Sequence, residues 1–312
     1  GAPQRSVTVD IYGTNSAPAE GEYALFSVYG GGNAADYTYG NGYPKVTVHN
    51  CDNSIKYVYG GGNAAAVAAT DVTIYGGNKI GNVFGGGNGV NGAADVTGNS
   101  GTYVMIYGGT IGNVFGGSNQ NGSITGPISV NVATLAETGS PCPIAIDNVY
   151  GGGNKASSDP GSITVNCFTG RIENIYGGAN DADINGDITL TIQCGYVGRI
   201  FGGNNTGSTV KGNVTVNVTK ALTCDLNVDY VYGGGNAAAV GENGDTRQVS
   251  VTVGGGAHVN NMVFGGGLGE TAVLNGNTQV QIKGTGTRID GNVYGGGNGA
   301  KVTGNTDVII GE

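Results

Sequence analysis

The chain has no tryptophan, two histidines, two methionines and seven prolines among 312 residues. His49 and His258 stand about two hundred residues apart, which excludes a Ser–His–Asp or Cys–His relay for practical purposes. No HExxH segment is present, so the chain offers no zinc-protease signature either. Charge is scarce. Only 11% of residues are charged, well under the ~25% of ordinary globular domains. Cations are the minority, with 13 Lys and Arg against 22 Asp and Glu and a net charge of −9. No basic stripe exists to neutralise phosphates, so nucleic acid is not an expected partner. No apolar run approaches the ~20 residues of a membrane-crossing helix, and no leader-like segment opens the chain, so membrane insertion is not expected.

Five cysteines are present, at positions 51, 142, 167, 194 and 224, and an odd number leaves at least one without an intrachain partner. None belongs to a CxxC pair, which makes a structural zinc site improbable. Cys167 follows Ile163 and Val165 in alternation, and Cys194 follows Ile188, Leu190 and Ile192. Both are expected to be buried free thiols.

Glycine, by contrast, is abundant, at 65 residues. Much of it lies in a tract close to Val-Tyr-Gly-Gly-Gly-Asn that occurs ten times. Its aromatic residue is Tyr29, Tyr59, Phe84, Phe115, Tyr150, Tyr176, Phe201, Tyr232, Phe264 and Tyr294. Between these tracts runs an apolar–polar–apolar triplet, as in Val46-Thr47-Val48, Val72-Thr73-Ile74 and Val214-Thr215-Val216. Triplets recur from Val7 to Val308 at intervals of 24 to 39 residues, about 30 on average. β-Branched residues at alternate positions mark a short strand with one face buried. A second apolar run ends at each aromatic, and a third apolar position precedes the next triplet: Val96, Ile124, Ile184, Val210, Leu274 and Val302.

Three short strands and three turns per ~30 residues describe one coil of a solenoid. The fold class expected is all-β: a single-stranded, right-handed parallel β-helix of about ten coils with three short strands per coil. At the ~4.8 Å strand spacing the rod would be roughly 45 to 50 Å long. The whole chain, 1–312, reads as one domain. An eleventh triplet with no following Gly-rich tract suggests that it is a fragment of a longer protein, ending in mid-coil at Glu312. Glycine would serve the corners, where a positive φ or close backbone approach excludes a Cβ. The residue four after the aromatic is Asn in nine of ten tracts, Leu268 being the exception, and predicts a ladder of stacked amides. The aromatic column could face the core or solvent; free exchange of Tyr and Phe favours a corner, with the ring packed and a hydroxyl near water. Loops are expected at Lys155–Pro160 and Ala237–Thr246, and on another edge at Ala133–Pro143 and Thr219–Val228.

Two sets of residues could carry chemistry. Asp147 and Glu173 hold the position three before the aromatic in consecutive coils, and Arg199 follows one coil on, offset by one. Carboxylates one coil apart with a nearby cation are the best acid–base candidates in the chain, although a solvated charged face is the plainer reading. Asp181-Ala182-Asp183-Ile184-Asn185-Gly186-Asp187 matches the first half of a calcium loop, making Asp181, Asp183 and Asp187 candidate ligands. Position twelve is Ile192 where a bidentate Glu is required, so the match mainly restates the repeat. No cofactor is implied.

The V-[YF]-G-G-G-N units alternating with V-T-V strands resemble the β-helical repeat regions of Bacteroides-type surface proteins, adhesin-like or similar to autotransporter passengers, some of them named immunoglobulin A1 protease-like. The likeness spans residues 6–310. It implies a secreted or cell-surface bacterial module, structural or adhesin-like, that binds a host protein or glycan, beside flanking domains of the same polypeptide. Two alternatives stay open: a carbohydrate-active β-helix enzyme (polysaccharide lyase or hydrolase) using Asp147, Glu173 and Arg199, and the non-catalytic stalk of an immunoglobulin A1 protease-like protein.

Overall fold

The computed structural model describes residues 7–14, 19, 21–37, 42–134 and 142–311. Every regular element in it is a strand, and the strands form two parallel sheets. Sheet A stacks β1 (Thr8–Ile11), β3 (Lys45–Val48), β5 (Thr70–Ile74), β7 (Thr102–Ile106), β9 (Ile128–Val132), β11 (Ser162–Cys167), β13 (Asp187–Ile192), β15 (Val214–Thr219), β17 (Arg247–Gly254), β19 (Gly276–Ile282) and β22 (Thr306–Ile310). Sheet B stacks β2 (Leu25–Tyr29), β4 (Ser54–Tyr59), β6 (Lys79–Phe84), β8 (Gly109–Phe115), β10 (Ile144–Tyr150), β12 (Arg171–Tyr176), β14 (Gly195–Phe201), β16 (Leu226–Tyr232) and β18 (His258–Phe264). The tenth strand of sheet B is split into β20 (Arg288–Ile289) and β21 (Val293–Tyr294), both paired with β18. One strand from each sheet makes a coil, and the coils stack as a parallel β-helix, as the repeat predicts.

The triplets are the strands of sheet A, in register along the stack: Val46 pairs with Val72, Val72 with Val104 and Val104 with Val130. Their β-branched side chains point inward and meet those of sheet B in one continuous core of fully buried Val and Ile. The third position, apolar in most coils and Ser158 in one, is shorter than a strand. It consists of single-residue parallel bridges, Val67 to Val96 to Ile124 and Ser158 to Ile184 to Val210. A one-residue wall suffices because corners on either side already turn the chain.

The Gly-rich corners follow close approach rather than unusual torsions. The triple glycines have no positive φ. A Cβ on Gly151 would instead lie 2.1 Å from the carbonyl oxygen of Gly177 in the next coil, and one on Gly202 2.1 Å from that of Gly233. Backbone stacks directly on backbone there, which only glycine allows.

The amide ladder forms as the Asn column predicts. Asn63 donates to Asn33, Asn88 to Asn63, Asn119 to Asn88, Asn154 to Asn119, Asn180 to Asn154, Asn205 to Asn180 and Asn236 to Asn205, all at 2.8–2.9 Å. Beside it the aromatic column is a second, separate core. Eight rings from Tyr59 to Phe264 are buried, stacked face to face with centroids 4.6–5.2 Å apart. Each ring follows an inward Val or Ile, so it lies on the outside of sheet B. The Asn corner then closes over it: Tyr59 Oη donates to Asn88 Oδ1 at 3.0 Å, and Asn119 Nδ2 donates to Tyr59 Oη at 3.3 Å.

The cysteines depart from expectation at one position. Cys167 is a buried free thiol, as the alternation predicts, and burial pushes its pKa up to about 12. Cys194 is not free: it is bonded to Cys224, and Cys51 to Cys142. The alternation from Ile188 ends with β13 at Ile192, so Cys194 belongs to the corner and not to the core face. Both disulfides lie in the corner leading from sheet A to sheet B. The loop expected at Ala133–Pro143 lies mostly outside the described residues, as does Glu312.

Candidate functional site

The strands of sheet B carry an irregularity that places side chains. Inward residues in β12 are Ile172 and Ile175, and in β14 Val197 and Ile200, three apart instead of two. In the pairing between these strands Ile172 faces Val197 and Asn174 faces Arg199, while Glu173 and Gly198 are left out. The same omission recurs at Asp147 and at Asp229. The position three before the aromatic is therefore an extra outward residue, the kind of bulge that re-aims a side chain. Along most of the stack it is Gly or a lone charge. Over coils six to eight it reads Glu173, Gly198, Asp229, with a glycine between two acids.

That glycine opens a depression of about 260 Å³ lined by Glu173, Asn174, Tyr196, Gly198, Arg199, Asp229 and Tyr230. A Cβ at Gly198 would lie 2.6 Å from the Glu173 carbonyl oxygen, so backbone packing itself keeps the floor bare. Around it the acids are already satisfied. Glu173 Oε1 accepts from Arg171 at 2.7 Å, and the Arg171 guanidinium lies 4.3 Å from the Tyr196 ring centroid. Tyr196 Oη donates to Asp229 Oδ2 at 2.5 Å, and Asn260 Nδ2 donates to Asp229 Oδ1 at 2.8 Å. The bond to Asp229 raises the Tyr196 pKa, with burial adding to it.

The structure thus joins two of the three residues singled out from sequence. Glu173 and Arg199 share the depression; Asp147 is exposed one coil away and does not line it. Tyr196, Asp229 and Tyr230 are the residues that sequence reading missed. Asp229 was visible in the same column as Glu173, but the spacing gave no sign that Gly198 would turn the two acids into opposite walls of one hollow.

The acidic run of coil seven has a different role. Asp183 Oδ1 accepts the amide of Thr209 at 2.8 Å, and Asp187 Oδ1 accepts that of Asn213 at 2.7 Å. Asp181 Oδ1 lies 3.4 Å from Ser208 Oγ. Each carboxylate is spent on the next coil, as Asp36 is on Ala66 and Asp95 on Ser123. Among the described residues no group of three or more His, Cys, Asp and Glu converges as a metal site would require. The two histidines pair separately, His49 with Asp10 and His258 with Asp290.

A second hollow of about 300 Å³ lies between the loops around Gln120–Ser123 and Lys155–Asp159, without an aromatic side chain. The sheet B depression is the better candidate because it combines rings, acids and a cation on regular strands. The chain matches no known family model, no curated protein and no solved structure.

Proposed function

We propose that the chain is a non-catalytic, adhesin-like β-helical module of a bacterial surface or secreted protein, and that the outer face of sheet B binds a glycan of the host. The observation that carries this reading is the depression of coils six to eight. Its polar groups are prearranged by hydrogen bonds, it offers the Tyr196 and Tyr230 side chains, and it lies on the outer face of sheet B, along which a polymer can continue. Glycan sites need such convergence of planar polar groups with aromatic surface. The buried ladder is not suited to the task, because stacking consumes the ring faces a sugar would use.

Two disulfides support the extracytoplasmic assignment, since such bonds persist in oxidising compartments. The commitment of Glu173 to Arg171 and of Asp229 to Tyr196 and Asn260 favours binding over acid–base turnover. Glycan-array screening tests the reading. Wild-type protein should give reproducible hits, and Tyr196→Ala should weaken them about tenfold, the loss of roughly 1.4 kcal/mol of contact. No hits on any glycan would end the proposal, and release of sugar fragments from a bound polysaccharide would replace it with the enzyme reading.

A further inference from the structure

Charge is divided between the two sheets. The strands of sheet B carry Lys56, Lys79, Arg171, Arg199 and Arg288 against Asp147, Glu173 and Asp229, a balance of +2. Those of sheet A carry Lys45 and Arg247 against Asp10, Asp71, Asp187 and Asp307, a balance of −2. In a chain of net charge −9, sheet B is the face that an anion can approach.

Within the depression the cations differ. Arg171 is paired with Glu173. Among the described residues no carboxylate lies within ion-pair distance of Arg199, although Glu173 and Asp229 line the same hollow. Both of those acids have other partners, so they do not draw Arg199 away. In the sheet register Arg199 stands between Asn174 and Tyr230, two neutral hydrogen-bonding groups. Its charge also reaches the phenols of Tyr176 and Tyr232, the ladder tyrosines one coil to either side, lowering pKa values that burial raises. The ring between them is Phe201, which has no hydroxyl to claim the guanidinium. The result is an exposed, unpaired, planar fork of N–H donors held over the wall of a sugar-sized hollow. Such a fork matches a carboxylate in two parallel hydrogen bonds. At about 260 Å³ the hollow is smaller than the ~300–1,000 Å³ of pockets for drug-sized ligands. It accommodates one ring, not a whole oligosaccharide.

We propose that this depression is a subsite for one carboxylated sugar of an acidic glycan, a uronic or sialic acid, with Arg199 binding the carboxylate. The proposal rests on the glycan-binding reading of the same site and narrows it to one ligand class. It also assigns a role to Gly198, which leaves room for the ring beside the guanidinium.

The test uses arrays printed with uronate- and sialate-bearing glycans beside their methyl esters, which keep the sugar skeleton and remove the charge. Hits are then titrated by biolayer interferometry. Acid forms should bind at least about tenfold more tightly than their esters, the discrimination expected of a charge-assisted bidentate contact. Arg199→Gln should abolish that preference, so that acid form and ester bind equally to the variant, with the far-ultraviolet circular dichroism unchanged. Arg199→Lys, which keeps the charge but not the fork, should retain only part of it. Equal binding of acid and ester, hits confined to neutral glycans, or an acid preference that survives Arg199→Gln would overturn the carboxylate subsite and leave glycan binding standing. Equal binding of a poly-glutamate peptide would also overturn it, in favour of charge attraction without a sugar site. No hit on any glycan would remove both proposals.

Discussion

Ser158 shows how strictly the repeat assigns each position. It occupies the third column of the coil, where Val96, Ile124, Ile184 and Val210 line the core. It is 2% exposed, and its hydroxyl has no hydrogen-bond partner among the described residues. A buried hydroxyl without a partner costs about 1–3 kcal/mol, and a β-branched apolar residue suits the wall better. Ser158→Val should therefore raise stability by about 1 kcal/mol in urea denaturation; a lower midpoint would show that the hydroxyl is satisfied. Single residues also show where sequence reading succeeds and fails. The core triplets, the glycine corners and the Asn ladder were legible because one physical demand repeats in every coil. Cys194 was misread because alternation was extended one step past the end of its strand. The walls of the depression were only partly legible, since they depend on which side chains neighbour a bare Gly198 two coils deep, and no periodicity encodes that. A second amide ladder, Asn82–Asn113–Asn148–Asn174, with bonds of 2.9–3.0 Å, also escaped notice although its residues stand two before each aromatic.

At the scale of an element, the aromatic ladder is a stack of phenols and phenyl rings sealed on the outside of sheet B. Burial raises the pKa of Tyr59, Tyr150, Tyr176 and Tyr232, with neighbouring phenols adding to the shift at all but Tyr176. The Asn bonds to Tyr59, Tyr150 and Tyr232 and the Arg199 charge beside Tyr176 and Tyr232 oppose it only in part. A phenol whose folded pKa lies above its unfolded value contributes full stability below the unfolded value, near 10, and loses it as the pH rises through the folded value. The fold should thus weaken progressively above pH ~10, as unfolded chains ionise these residues and folded ones do not. Tyrosinate absorbance followed against denaturation midpoint checks this. Ionisation of all tyrosines near pH 10 with no loss of secondary structure would contradict a sealed ladder. The interruption at Leu268 fits the same picture. It packs against the ring column, and Asn298 beyond it still reaches Tyr232.

Across the whole molecule, covalent links reinforce one corner. Cys51 and Cys142 are 91 residues apart and join coil two to coil five, while Cys194 and Cys224 join coils seven and eight. Stability in a solenoid is close to a sum over neighbouring coils, so a link that skips two coils couples units that otherwise communicate only through intermediates. Denatured but unreduced protein should present one titratable thiol, Cys167, and reduced protein five. Reduction should cost about 2–4 kcal/mol per bond. Three or five thiols without reductant would refute the pairing. The stacked rings have one more consequence, which the absence of tryptophan makes measurable. With no indole to drain excitation, tyrosine is the natural emitter, and phenylalanine rings stacked nearly parallel about 5 Å away pass their excitation to it. The rod carries its own optical reporter: native emission is shared among coils, and local fraying, by breaking the column, would change its spectrum and lifetime before the sheets melt.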